Sequence, residues 1–340
     1  MIRITLFRAI LASLLLFVAP SSMAIAEEED KVEPIQVEEQ VIPTAIEYLQ
    51  LMQKAYKTSN YEMIYLSNLQ KQLEPMQLIH GVVGGEQVSY FRYLNGAMRE
   101  SLQFAGEISY FEQGTPSYTL QSRHNRHAFA NIADFDYEVG QKNYDYVILG
   151  KARIAGKQSI AIRMISKDEY RYNYVIWFDL QTLLPLRLDT VSPGNVLLEQ
   201  LMVVSLKVSE GVNPWLVKIT ENPRPEVVHI RQSSTEQSSR WNAKWIPPGF
   251  SVVKKDQHLL ALNESEPVSY IMLDDGLVNV SIYISAKKLR LDEKQKLVRH
   301  GATVLYTEQR GNTEFNVVGD VPVAAAKRLV KSMELVRYDN

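Results

Sequence analysis

From Tyr170 to Phe178 the chain reads Tyr-Arg-Tyr-Asn-Tyr-Val-Ile-Trp-Phe, and its side chains sort with a period of two. Successive side chains on a strand point to opposite faces. Tyr170, Tyr172, Tyr174, Ile176 and Phe178 therefore share one face, and Arg171, Asn173, Val175 and Trp177 the other. An aromatic face of this length has to be covered. Either helices pack on it and make it core, or the sheet curls and leaves part of it as an apolar cavity for a lipid chain. The alternation by itself is satisfied by both.

Around this strand the chain is rich in short β segments punctuated by turn residues. Val88–Leu94 and Met98–Phe104 flank Asn95-Gly96, a dipeptide suited to the positive backbone angles of a tight hairpin. Ile108–Phe111, Tyr118–Leu120, Tyr146–Leu149, Ala152–Ala155 (beyond Gly150), Ile160–Ile165, Leu184–Asp189 and Leu197–Val208 continue the meander. Ahead of it, Ile46, Leu49, Met52 and Ala55 or Tyr56 recur at helical spacing behind Pro43, which predicts an amphipathic helix packed on the sheet. Asn222-Pro223-Arg224-Pro225-Glu226 and the serine-rich stretch 233–239 read as an inter-domain linker. Beyond it, strands near Tyr270–Leu273, Val278–Ile284, Thr303–Tyr306 and Phe315–Val318 precede a closing helix. Pro322 opens that helix, and its apolar face holds Ala326, Leu329, Val330, Met333 and Val336.

The N-terminus has the three-part layout of a signal peptide: Arg3 and Arg8, an uncharged run from Ala9 to Ala19, and Ala24-Ile25-Ala26 as the cleavage site. The run stops at Pro20, short of the roughly 18 apolar residues that a membrane span needs. The expectation is export, removal of residues 1–26 and an extracytoplasmic protein. With no cysteine there is no disulfide staple and no lipid attachment point, so burial must hold the fold. The charge balance, 37 Lys and Arg against 39 Asp and Glu, argues against nucleic acid as a partner. Residues 27–42, opening with Glu27-Glu28-Glu29-Asp30, read as a flexible acidic leader. The remaining length exceeds what one core usually serves, which predicts two domains.

Motifs for chemistry are sparse. His124 and His127 are spaced i, i+3 among arginines, without the i, i+4 pair, intervening glutamate and third ligand of a helical zinc site. Asp134, Asp136 and Glu138 alternate but lack the ligand number and glycine turn of a calcium loop. Asp274-Asp275-Gly276 lies between apolar strands and reads as a hairpin turn. Gly84-Gly85 has no phosphate-loop lysine, and no serine stands in a nucleophile elbow. No catalytic residue, metal ligand or cofactor is assigned, and the chain is expected not to be an enzyme.

Several segments, in order, resemble the RseB/MucB family of periplasmic regulators of the sigma-E envelope stress response. They include Glu107–Glu112, Tyr174–Asp179, Leu184–Asp189 and Leu198-Glu199-Gln200, then Trp245–Phe250, Asp275-Gly276-Leu277, Ser281–Ile284, Gly301-Ala302-Thr303 and Val317–Pro322. The resemblance runs from about Pro43 to Leu335. It implies an α+β fold, mostly antiparallel β: a large LolA/LolB-like unclosed β-barrel with covering helices, plus a smaller β-sheet domain with helices. The implied division is a lipid-sensing domain over 43–215, a linker over 216–239 and a small C-terminal domain over 240–340.

The resemblance also implies a partner, the periplasmic region of a membrane-spanning anti-sigma factor of the RseA or MucA type. Binding shields that region from site-1 proteolysis, and lipopolysaccharide or mislocalised lipoprotein acyl chains relieve the block. A lipoprotein carrier of the LolA type is the alternative, an envelope hydrolase is a more distant one, and a homo-oligomer is left open. Strand alternation and aromatic content nominate Leu102, Phe104, Tyr170, Tyr172, Tyr174 and Phe178 for lipid. Tyr270, Met272, Ile282 and Tyr283 in the small domain are nominated for the partner, with the linker as hinge.

Overall fold

The computed structural model describes residues 42–69, 72–122, 129–228, 239–259, 267–286 and 295–336. The readings placed on residues 1–26 and 27–41, on His124 and His127 and on 233–238 lie outside them.

Helix α1 (Ala45–Thr58) starts where its chemistry dictates. Thr44 Oγ1 accepts the Glu47 N–H and the Glu47 carboxylate accepts the Thr44 N–H, so two otherwise orphaned donors are satisfied reciprocally. The helix buries Leu49, Met52 and Tyr56. Leu49 and Met52 contribute roughly 1.5–3 kcal/mol each by leaving water.

Two meanders follow. In the first, β1 (Asn60–Leu69), β2 (Gln72–Val83), β3 (Glu86–Tyr93), β4 (Arg99–Phe104), β5 (Glu107–Glu112) and β6 (Tyr118–Gln121) step outward from the middle of the sheet. Two short helices, α2 (Ala130–Asp134) and α3 (Tyr137–Gly140), then lead to the opposite edge. From there β7 (Tyr144–Ile154), β8 (Lys157–Ser166), β9 (Asn173–Asp179), β10 (Pro185–Val191) and β11 (Leu197–Ser209) step back, until β11 pairs antiparallel with β1. The result is one 11-stranded sheet whose outermost strands, β6 and β7, do not pair with each other. This is the expected unclosed, antiparallel architecture. Its inner face packs against α1 and α2 in the main core.

Helix α4 (Pro214–Glu221) covers part of the outer face. Asn213 caps it by accepting the Trp215 N–H, and Leu216 is buried against Ile79, Val88, Tyr90 and Leu102. The segment read as an inter-domain linker is thus helical at its start, and its proline-rich part is docked on the large sheet. The Thr119 N–H donates to the Glu226 carbonyl at 2.9 Å, the Val228 N–H to the Thr119 carbonyl at 2.8 Å, and Thr119 Oγ1 to the Pro225 carbonyl at 2.9 Å. Arg224 pairs with Glu107 and lies over the Phe104 ring. Residues 223–228 form a strap along the β6 edge, which would otherwise present unpaired backbone groups.

The small domain contains β12 (Trp241–Ala243), β13 (Ser251–Leu259), β14 (Pro267–Asp274), β15 (Asn279–Ala286), β16 (Gln295–His300), β17 (Thr303–Arg310), β18 (Thr313–Gly319), α5 (Val323–Ser332) and β19 (Met333–Leu335). Six of the strands form a sheet in the order β13-β14-β15-β18-β17-β16, and β12 pairs with β19. Ala325, Ala326, Leu329 and Val330 of α5 are fully buried on the six-stranded sheet.

Four local expectations change. The segments on either side of Gly150 are one strand, β7, because Gly150 at φ 125° accommodates a bulge between Ile148 and Gly150. The 94–98 loop is longer than a two-residue turn, although Gly96 takes the positive φ of 82° foreseen for it. The last helix stops at Ser332, since Met333–Leu335 are drawn into pairing with Trp241–Ala243. The aromatic strand begins at Asn173 rather than Tyr170.

Candidate functional site

The late start of β9 builds the site. Asp168 Oδ1 accepts the Tyr170 N–H at 2.8 Å and Oδ2 accepts Arg171 Nε at 3.2 Å, which holds residues 168–171 in a side-chain-stabilised turn. The turn carries Tyr170, Arg171 and Tyr172 onto the small domain.

Three sets of contacts close this seam. Arg171 Nη1 donates to Asp275 Oδ2 at 3.1 Å, between the Phe250 and Tyr144 rings at 5.3 and 5.7 Å. Asp275 is held in turn by the Leu277 and Val278 N–H groups, which donate to Oδ1 at 3.0 and 2.9 Å. The Tyr172 hydroxyl lies 2.9 Å from the Ala302 carbonyl and 2.8 Å from that of Val321, while the Ala302 N–H donates to Glu199 Oε1 at 2.8 Å. Tyr170 meets Trp245 edge to face at 4.7 Å, and Arg328 lies over both rings and bonds the Tyr170 hydroxyl.

Beside these contacts lies a cleft of about 230 Å³. The large sheet contributes Ser67, Tyr174, Leu188, Thr190, Glu199 and Leu201, and α2 contributes Asn131 and Ile132. Its other wall is Leu277, Val278, Ala302 and Asp320 of the small domain. The walls are mixed: Ile132, Leu188, Leu201, Leu277, Val278 and Ala302 are apolar, while the rest of the lining is polar and includes the carboxylates Glu199 and Asp320. Burial pushes the Glu199 carboxyl above its ordinary pKa and the nearby Asp320 charge adds to this, against the Ala302 N–H and His300. Burial also raises Asp275, opposed by its backbone donors and Arg171. The buried Tyr172 hydroxyl is pushed up to about 12. Such a site offers carboxylate acceptors beside a partly apolar surface.

The nominated lipid residues do not share one surface. Tyr174 and Phe178 are on the inner face. Phe178 is fully buried, 5.7 Å from the Tyr48 ring of α1, whereas Tyr174 lines the cleft. Leu102 and Phe104 pair with Tyr90 and Val88 and pack with them on the outer face, on the α4 and strap side. Tyr170 and Tyr172 sit in the seam.

Of the partner residues, Tyr270, Met272 and Tyr283 share the small-sheet face turned away from α5, with the Tyr270 and Tyr283 rings 5.1 Å apart. Ile282 points the opposite way and is fully buried in the core, because it stands one residue out of phase with Tyr283.

Asp134, Asp136 and Glu138 serve local structure: Asp134 pairs with Lys57 at 2.8 Å, Asp136 caps α3, and Glu138 accepts from Gln50 and Gln141. Glu199, Asp275 and Ala302 lie in segments that carry the family resemblance and Arg171 in the aromatic segment, but none of the four was assigned to a site from the sequence. The available signal was Arg171, a cation set among aromatics in a strongly apolar segment, which needs a buried partner.

The family model described as the MucB/RseB N-terminal domain matches residues 44–230, and that of the MucB/RseB C-terminal domain matches 235–334. The sigma-E factor regulatory protein RseB of Haemophilus influenzae is 28% identical over 333 residues, covering 96% of this chain and 97% of that protein. RseB of Salmonella typhimurium is 27% identical over 292 residues, covering 86% and 91%. MucB in its complex with MucA(peri) has the same fold, with a TM-score of 0.69 at 20% identity over 87% of this chain and 100% of that one. With both domains matched in order over most of its length, the chain belongs to the MucB/RseB family.

Proposed function

We propose that the protein is a periplasmic negative regulator of an extracytoplasmic stress sigma factor, exported through a cleaved signal peptide. It acts by binding rather than catalysis. Its partner is the periplasmic region of a membrane-spanning anti-sigma factor, which it shields from site-1 proteolysis until lipopolysaccharide or a mislocalised lipoprotein acyl chain releases it. The observation that carries this reading is the match of both domains, in order, to relatives named as sigma-E factor regulators. The MucA complex of the structurally similar MucB supports the choice of partner class. Tyr270, Met272 and Tyr283, grouped on one face of the small sheet, are the proposed contact patch. The test is capture of the purified protein on an immobilised anti-sigma periplasmic region, with and without added lipopolysaccharide. Retention that lipopolysaccharide reduces is expected, and no retention in either condition refutes the reading.

A lipoprotein carrier is the second reading, favoured by the helix-covered inner face of an unclosed sheet. Transfer of a lipoprotein from one membrane to another by the purified protein would establish it. The small domain closed over the cleft is an obstacle to such a cargo.

A further inference from the structure

We propose that Asn95 is a site of self-modification, at which the Gly96 backbone nitrogen attacks the Asn95 side-chain amide. The loop between β3 and β4 thereby gains an isoaspartyl linkage and one negative charge. This goes beyond the regulator reading and does not depend on it.

The chain holds one Asn-Gly and one Asp-Gly dipeptide, Asn95-Gly96 and Asp275-Gly276. Ring closure at either needs the glycine nitrogen to reach the side-chain carbonyl carbon at about 3–3.5 Å, and a glycine has no Cβ to obstruct the approach. The two glycines stand at nearly the same φ, 82° and 87°, so that angle does not separate the sites. Their surroundings do.

Asp275 is locked. Its side chain is 2% exposed, Oδ1 accepts the Leu277 and Val278 N–H groups at 3.0 and 2.9 Å, and Oδ2 accepts Arg171 Nη1 at 3.1 Å. The Gly276 N–H donates to the Asp274 carboxylate, so the nitrogen that would attack is engaged as well. An ionised carboxylate is besides a poorer electrophile than a neutral amide.

Asn95 has none of these restraints. Residues 94–98 are all exposed, and neither the Asn95 side chain nor the Gly96 N–H has a hydrogen-bond partner among the described residues. The loop is tied at its two ends, where the Leu94 N–H donates to the Pro75 carbonyl at 2.9 Å and the Gln113 N–H to the Met98 carbonyl at 3.0 Å. Between those ties Asn95 and Gly96 can reach the attacking geometry, and water reaches both.

The reaction is complete with water alone. Solvent base removes the Gly96 N–H proton as the bond from that nitrogen to Asn95 Cγ forms, the bond from Cγ to the side-chain nitrogen breaks, and ammonia leaves. Water then opens the five-membered imide. Opening at the Asn95 main-chain carbonyl leaves a free α-carboxylate and a main chain one methylene longer, whereas opening at Cγ leaves aspartate. Either product carries one new negative charge. The ties at Leu94 and Met98 confine the extra methylene to the loop.

The test follows the folded protein, the same protein in urea and a synthetic peptide of residues 93–99 at about pH 8, where base removes the amide proton faster than at neutrality. Peptide mapping locates isoaspartate, and anion exchange separates the more acidic form. Asn95 in the folded protein should convert less than about tenfold more slowly than in the peptide, because the loop adds little restraint. Isoaspartate at Asp275 should appear only in urea. Asn95→Gln, which needs a larger ring, should lack the acidic form, and the modified parent should keep the urea midpoint of the unmodified one.

Four results overturn the proposal: slowing of Asn95 by about tenfold or more relative to the peptide, isoaspartate at Asp275 in the folded protein, an acidic form that persists in Asn95→Gln, or a shifted midpoint in the modified parent.

Discussion

Arg171 of the large domain and Asp275 of the small domain meet across the seam at 3.1 Å, with both side chains 2% exposed. Removing one partner strands a buried charge, which typically costs about 3–5 kcal/mol, whereas replacing both with apolar groups of similar size is often neutral. We expect Arg171→Met to fall in that range by urea unfolding, and Arg171→Met/Asp275→Leu to recover only part of the loss, because the Leu277 and Val278 N–H groups then lose their acceptor. A cost below about 1 kcal/mol for the single variant would remove the pair from the account of the seam.

Acidification pulls two buried groups in opposite directions. Glu199 has its pKa raised above 4.5, so the folded state carries the cost of its buried charge at neutral pH and sheds it on protonation. Its contribution to stability therefore grows as the pH falls through the raised pKa towards 4.5. His80 is the reverse case. Burial lowers its pKa below 6.5, although Nδ1 lies 2.8 Å from the Ser59 carbonyl, so it costs stability as the pH falls below 6.5. Unfolding of Glu199→Gln and the parent protein, compared from neutrality down to 4.5, should show the parent gaining on the variant with acid. A constant difference would contradict the assignment.

Gly249 stands at φ 80°, where a Cβ would come within 2.2 Å of the Asn143 amide across the seam. In Gly249→Ala, Asn143 has to swing away and the left-handed backbone strain remains, for a loss of about 1–2 kcal/mol. Adding Asn143→Ala should relieve the clash and leave the strain. Full recovery in the double variant would show that the backbone angle does not matter.

The strap is anchored through Thr119, whose hydroxyl donates to the Pro225 carbonyl and lies 2.9 Å from Ser109 Oγ. Thr119→Val should cost about 1 kcal/mol. It should also speed hydrogen exchange at the Val228 N–H by about fivefold. Unchanged exchange would mean that backbone pairing alone holds the strap.

Much of the local structure could be read directly. The apolar spacing of α1, the hairpin strands β3 and β4, and the alternation of β9 follow from side-chain periodicity and turn chemistry. Strands β1 and β2 were missed, and the start of the linker hid α4, because Asn213 and Pro214 signal a helix only once Leu216 has a sheet to cover. The site was the least legible part. Tyr170 and Tyr172 look like members of the aromatic strand face, yet the Asp168 turn removes them from it.

The amino-acid sequence by itself determined which residues share a face, since the period of two along a strand and the spacing of Leu49, Met52 and Tyr56 along a helix are covalent consequences of chain geometry. It also determined that burial without disulfides must hold the fold. What lies above each face was decided only by tertiary structure. Pairing of β1 with β11, distant in the chain, sets the faces that α1 and α4 cover, and so separates Phe178 from Leu102. The docking of the small domain makes Glu199, Arg171 and Asp275 partners in a single seam. Periodicity carries no information about such contacts, because they depend on where elements distant in sequence come to rest.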